Sequence, residues 1–325
     1  MDKEELASLT LRAEAGDAEA QFYLGSAFDQ GAGVEQNHFQ AVHWFRLAAD
    51  QGLAKAQNNL GFAFDEGKGV EQNHAQAAYW YRLAADQGYD LAQYNLGVAF
   101  DQGEGVEQDY AQAVYWYRLA ADQGDADAQN NLGNAYYNGT GVPKDCFQAV
   151  DWYRLAAEQG HAIAQNNLGI AFVQGEGVEQ NHAQAAYWYR LAADQGHAKA
   201  QNNLGFAYRH GEGVEQDYAQ AVYWCRLAAE QGNAEAQINL GKAYYNGTGV
   251  PKDYAQAVHW YRLASDQGHA GAQFNLGDAY FDGTGVPRDY ARAVRWYRLA
   301  AEQGHEGAAL RLGEIYEKAI GVKKD

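Results

Sequence analysis

The sequence is poor in the residues that would commit it to disulfides, to a membrane or to covalent catalysis. Its 325 residues include two cysteines, three prolines, one methionine and only three serines, Ser8, Ser26 and Ser265. Cys146 and Cys225 cannot build a disulfide framework, and their scarcity fits a reducing compartment. None of the serines stands in a Gly-x-Ser-x-Gly or Ser-x-x-Lys setting, which argues against a serine nucleophile. No apolar run is long enough to span a bilayer, and the mean hydropathy is −0.57. Basic charge is also short: 24 Lys and Arg against 42 Asp and Glu leave a net charge of −18, which disfavours nucleic acid and anionic lipid as partners. The stretch from Met1 to Gly16 carries Asp2, Glu4, Glu5 and Glu14 without a basic start or an apolar core, so no secretory signal is expected there, and the expected location is cytoplasmic.

What the chain has in abundance is order. Shifted by 36 residues the sequence realigns with itself, so that Leu24, Leu60, Leu96 and their successors to Leu312 fall in one column, each followed by glycine. All eight tryptophans, Trp44 to Trp296, share another column. Of 37 glycines, all but Gly271 and Gly307 occupy the four columns headed by Gly16, Gly25, Gly31 and Gly33. There is no linker, low-complexity segment or second domain in this register.

Each period predicts two helices. Ala20, Leu24, Ala27 and Phe28 share one face of the first, Ala18 to Gln30, and Gly25 is small enough for a neighbouring helix to come close. Gly31 and Gly33 end it. The second begins at Asn37, in a column holding only Asn or Asp, with Gln40 three residues on in a capping-box-like start. Pro143, Pro251 and Pro287 lie two residues before that cap, where a fixed φ stiffens the loop. Ala41, Trp44, Leu47 and Ala48 carry the second helix inward, with tryptophan as the core between repeats, and Gly52 stops it. Arg46 with Asp50, and the same pair in later repeats, predicts an i, i+4 ion pair.

Such a pair buries only one face, so it must stack. The expected fold is all-α: a right-handed α-solenoid of antiparallel helix pairs forming a single solenoid. Residues 1–17 are a half-repeat cap, 18–305 are eight repeats and 306–325 are a second cap. In that last half-repeat Ile315 replaces the column's alanine and Ala319 its glycine.

The unit reads Ala-x-Ala-Gln-x-x-Leu-Gly-x-x-Tyr, then Gly-x-Gly-Val, then Ala-Val-x-Trp-Tyr-Arg-Leu-Ala-Ala-x-Gln-Gly, and residues 243–268 show its second half well. In this it resembles the Sel1-like repeat, a relative of the tetratricopeptide repeat. The resemblance implies an α-solenoid acting as a protein-interaction scaffold or adaptor, with first helices lining the concave face. A cysteine-rich branch of that family is secreted and linked to β-lactam binding or hydrolysis. A cell-wall or β-lactam binding or hydrolysing protein is therefore the alternative function, although the paired cysteines of that branch are missing here.

Candidate partner-binding residues come from columns that vary beside the constant packing columns. Residues 22, 26 and 29 of the first helix lie opposite the Ala20, Leu24, Phe28 face. Their columns hold Phe22 and Tyr94; Phe62, Asn134, Ile170 and Phe206; and Asp29, Asp65, Asp101, Tyr137, Tyr245 and Phe281. Diversity confined to one exposed stripe suits contacts with a partner, and drift on a solvated face is the other explanation. Beside the stripe runs an asparagine ladder that includes Asn131, Asn167, Asn203 and Asn239. Its amides suit either the backbone of an extended peptide, as in tetratricopeptide relatives, or bonds between helices. Asp29, Asp65 and Asp101 suggest a ligand with basic residues at the N-terminal end of the groove, and aromatic pockets further along suggest apolar ones. The expected partner is a protein or peptide, with no cofactor, and the expected chain is a monomer.

The ten histidines do not point to a metal, because no helix carries two at i, i+4 spacing. The Gly-x-Gly loops follow helices and precede no strand, so they read as turns and not as phosphate cradles.

Overall fold

The computed structural model describes residues 2–317, and among them are eighteen α-helices and no strand. Ala319 and the rest of the expected C-terminal cap after Glu317 lie outside the described residues. The chain divides into two compact units, residues 1–161 and 162–325. The first holds α1 (Lys3–Glu14) and the pairs α2 and α3 (Ala18–Gln30, His38–Asp50), α4 and α5 (Ala54–Glu66, His74–Ala85), α6 and α7 (Asp90–Gln102, Tyr110–Asp122), and α8 and α9 (Ala126–Asn138, Cys146–Glu158). The second holds α10 and α11 (Ala162–Gln174, His182–Asp194), α12 and α13 (Ala198–His210, Tyr218–Glu230), α14 and α15 (Ala234–Asn246, Tyr254–Asp266), α16 and α17 (Ala270–Asp282, Tyr290–Glu302), and α18 (Glu306–Glu317). Within each unit, successive helices pack against each other as antiparallel hairpins of the tetratricopeptide-like α-solenoid type.

Close approach within a pair depends on the helical glycine. A Cβ at Gly97 would lie 2.6 Å from the Tyr117 ring and 3.3 Å from the Ala113 carbonyl oxygen, so the ring of the second helix rests directly on the first. The second helix therefore turns inward a face slightly different from the one expected. Its buried aromatic is the residue after the tryptophan, as in Phe45, Tyr81, Tyr117 and Tyr261. Leu47 is exposed, and tryptophan burial is uneven: Trp80, Trp116 and Trp224 are buried, while Trp44 and Trp152 are half-buried. The leucines of the first helix, Leu60 to Leu276, are fully buried, each a gain of about 1.5–3 kcal/mol over exposure.

Helix ends follow the caps. Asn37 accepts from the Gln40 backbone N–H at 3.1 Å, and equivalent caps begin the later second helices. Only half of the expected capping box forms. The cap's own N–H donates back to the preceding helix, Asn37 to the Phe28 carbonyl at 2.8 Å and Asp253 to Tyr244 at 2.9 Å, which ties the 31–37 loop to its own pair. A complete box does occur at Asp2 and Glu5 of α1.

Junctions between repeats use polar groups that the helical pattern did not reveal. The buried Gln57 amide donates to the Ala49 carbonyl of the preceding repeat at 3.2 Å and accepts from Gln87 at 2.7 Å. The same glutamine arrangement recurs at Gln93 with Gln123 and at Gln201 with Gln231. The expected Arg46–Asp50 ion pair does not form. Instead the guanidinium of Arg46 lies 5.5 Å from the Phe64 ring of the next repeat, and Arg82 lies 5.4 Å from Phe100. Where that aromatic is tyrosine the arginine donates to its hydroxyl, as Arg226 does to Tyr244 at 2.7 Å and Arg262 to Tyr280 at 3.0 Å. A planar guanidinium gains more from lying over a buried ring than from an exposed carboxylate, whose pairing is worth only about 0.3–0.5 kcal/mol.

Candidate functional site

The surface with most chemical variety is a row of clefts, each opening between one repeat and the next. One is lined by Asp29, His38 and Phe45 of one repeat and by Asn59, Phe62 and Lys68 of its successor. Equivalent clefts are lined by Asp65, His74, Tyr81, Asn95 and Glu104; by Asp101, Tyr110, Tyr117, Asn131 and Asn134; and, in the second unit, by Val173, His182, Asn203 and Phe206. A further one is lined by Phe206, Arg209, Tyr218, Asn239 and Lys242. The first measures about 220 Å³ and the others between about 30 and 160 Å³. That is below the roughly 300–1,000 Å³ of sites for drug-sized molecules, and it suits single side chains.

Of the residues expected to bind a partner, Phe62, Phe206, Asp29, Asp65 and Asp101 line these clefts, whereas Tyr137, Ile170, Tyr245 and Phe281 line none of those described. Phe62, Phe206 and Tyr245 are exposed, and Asp29, Asp65, Asp101, Tyr137, Ile170 and Phe281 are half-exposed. Column 22 does not form part of an exposed stripe. Phe22 and Tyr94 are half-buried against Phe45 and Tyr117, with ring centroids 5.9 and 6.1 Å apart, and Asn58, Asn130 and Asn166 in the same column are buried. The physical reason is that the second helix of the same repeat, together with the next repeat, covers a flank that a lone helix would leave open. Column 26 is partly engaged as well: the Tyr153 hydroxyl donates to Asn134 at 2.8 Å and that of Tyr297 to Asp278 at 2.7 Å.

The asparagine ladder bonds between helices. Asn95 donates to Asn58 at 3.0 Å, Asn203 to Asn166 at 3.0 Å and Asn239 to Asn202 at 3.2 Å, each joining successive repeats. These asparagines remain half-exposed at the cleft floor, and each amide has a second N–H and a carbonyl besides the bond it makes. Asn131 lies by the hydroxyls of Tyr94 and Tyr117, and Asn167 stands half-exposed on α10.

Charge varies from cleft to cleft. His38 Nδ1 lies 2.9 Å from Asp29, and His74 Nδ1 lies 2.8 Å from Asp65. The Asp65 bond, reinforced by Asp65 and Glu104 charge, holds the His74 imidazole above its ordinary value. Burial alone raises the Asp101 carboxyl. In the second unit Arg209 and Lys242 make one cleft cationic, and there burial pushes the Cys225 thiol up to about 11, leaving it unreactive as a nucleophile at neutral pH.

Two cleft-lining columns escaped the helical wheel, those of His38 and Lys68. Both lie outside the first helix, at the start of the second and in the glycine loop. Both vary less than columns 26 and 29, with His38, Tyr110 and Cys146 in one and Lys68, Glu104 and Thr140 in the other, so column variation gave only a weaker signal for them.

No helix among the described residues is long and apolar enough to cross a membrane. The Sel1 repeat matches residues 18–53, 54–89, 90–125, 126–161, 162–197, 198–233, 234–269, 270–305 and 307–325. No curated protein matches the chain. Among solved structures, a Sel1 repeat protein from Oxalobacter formigenes is 34% identical with a TM-score of 0.71, over 95% of this chain and 89% of that one. A protective antigen present in uropathogenic Escherichia coli strains, displaying an SLR fold, is 37% identical with a TM-score of 0.66, over 98% of this chain and 84% of that one. With the repeat matched in register nearly end to end, the chain belongs to the Sel1 repeat family.

Proposed function

We propose that this protein is a non-enzymatic scaffold that binds an extended segment of a partner protein, placing successive ligand side chains in successive clefts. The observation that carries this reading is a constant floor under a variable rim. Asn59, Asn95, Asn131, Asn203 and Asn239 recur at the floor, while columns 26 and 29 change from repeat to repeat. A repeated amide can bond a peptide backbone of any sequence, and changing rim residues can select side chains. Asp29, Asp65 and Asp101 favour lysine or arginine in the ligand of the first unit, whereas Arg209 and Lys242 beside Phe206 favour an acidic residue next to an apolar one in the second. Two free cysteines fit a reducing, cytoplasmic setting.

The test is affinity capture with the wild-type chain beside a variant with Phe62 and Phe206 changed to alanine. Partners lost with the variant are cleft ligands; if all are retained, the cleft reading fails. For a captured partner, changing Asp29, Asp65 and Asp101 to asparagine should flatten the salt dependence of binding.

A further inference from the structure

We propose that Asp65, His74 and Glu104 form a binding site for one zinc ion. They come from three places in the chain: the end of α4, the first residue of α5 and the loop after α6. One ligand atom from each lies within 4.8 Å of the other two. The donor set, one imidazole and two carboxylates, is one that zinc accepts, at about 2.0–2.2 Å from each ligand atom. His74 Nδ1 and Asp65 Oδ1 are 2.8 Å apart, so an ion entering in place of the proton between them needs little rotation of those two side chains, and the exposed Glu104 carboxylate swings in to complete the set.

The backbone beside the third ligand is set by its contact with α5. Gly105, at φ +73°, lies so close to the start of α5 that a Cβ there would be 2.0 Å from the His74 carbonyl oxygen. That contact sets the backbone of Glu104, its chain neighbour, beside the start of α5 and leaves its exposed side chain to turn toward the imidazole. Three protein ligands leave a fourth position for water, or for a donor carried by a bound partner.

The other clefts supply an internal comparison. Where Glu104 stands in this cleft, Lys68 stands in the preceding one, so that Asp29 and His38 share their cleft with a cation. In the following cleft the histidine position is Tyr110, and in the second unit His182 and Glu212 face Val173 where the aspartate would be. Among the described residues the triad is complete only once.

Titration of the full chain with zinc chloride by calorimetry, with a competing chelator, tests the assignment. One ion per chain is expected. His74→Ala and Glu104→Gln should each weaken binding by about tenfold or more, with circular dichroism confirming that both variants fold. Lys68→Glu should complete a second triad with Asp29 and His38 and raise the stoichiometry to two. Failure of the wild-type chain to bind zinc, full binding by His74→Ala, or a stoichiometry still at one in Lys68→Glu would each overturn the proposal.

Discussion

The side-chain amide of Asn95 donates to the side-chain carbonyl of Asn58 at 3.0 Å, joining the first helices of two successive repeats. Asn58 is buried, so removing its partner leaves a carbonyl shielded from water and unpaired. Asn95→Ala should lower stability by about 1–3 kcal/mol. Asn58→Ile should cost less, because Ile238 already occupies the equivalent buried position without an amide. Shifts in urea midpoint followed by circular dichroism would check the ranking, and equal losses would show that the bond contributes little.

Two glycines in one column should respond oppositely to alanine. Gly97→Ala drives a methyl into the Tyr117 ring and should cost about 1–3 kcal/mol. Gly313 has no atom within 4 Å of its would-be Cβ, so Gly313→Ala should gain up to about 1 kcal/mol from helix propensity alone. Thermal melts of the two variants against wild type decide between them.

Burial raises the Asp101 carboxyl above its ordinary value. A carboxyl raised on folding contributes stability while protonated; the contribution is complete below the unfolded value near about 3.9 and is lost as pH rises through the folded one. Asp101→Asn should therefore raise the melting temperature at pH about 7 and change it little at pH about 3. A variant less stable than wild type at neutral pH would contradict this account.

His74 is raised by its hydrogen bond to Asp65, so the stabilisation is present below the unfolded imidazole value near about 6.5 and fades as pH rises through the folded one. In zinc-free buffer, an NMR titration should place His74 above that value, and Asp65→Asn should bring it down. A midpoint indifferent to Asp65→Asn would mean that the bond is absent in solution.

The repeat made most of the helical architecture legible. Leu24 and Ala20 betray the buried face, Asn37 and Gly31 the ends, and the column arithmetic the register. What it hid were relations between neighbouring repeats. A helical wheel treats each helix alone, so it placed column 22 outside and turned Arg46 back on Asp50, when the paired second helix and the next repeat cover the one and the next repeat receives the other. Gln57 with Gln87 was equally invisible, because two polar residues thirty positions apart look like surface until the fold buries the link between them. The cleft rim was half legible: Asp65 stood out as a variable charge, whereas His74 and Glu104 became its companions only in three dimensions.

The contact between Gly105 and the His74 carbonyl recurs at Gly69 with His38, Gly141 with Tyr110, Gly213 with His182 and Gly249 with Tyr218. Within each unit these repeats thus present their successors with the same socket, whichever residues line the rim. A gene duplication or deletion of whole repeats inside either unit would join ends that already fit. Changing the number or order of clefts within a unit would accordingly need no new interface between repeats.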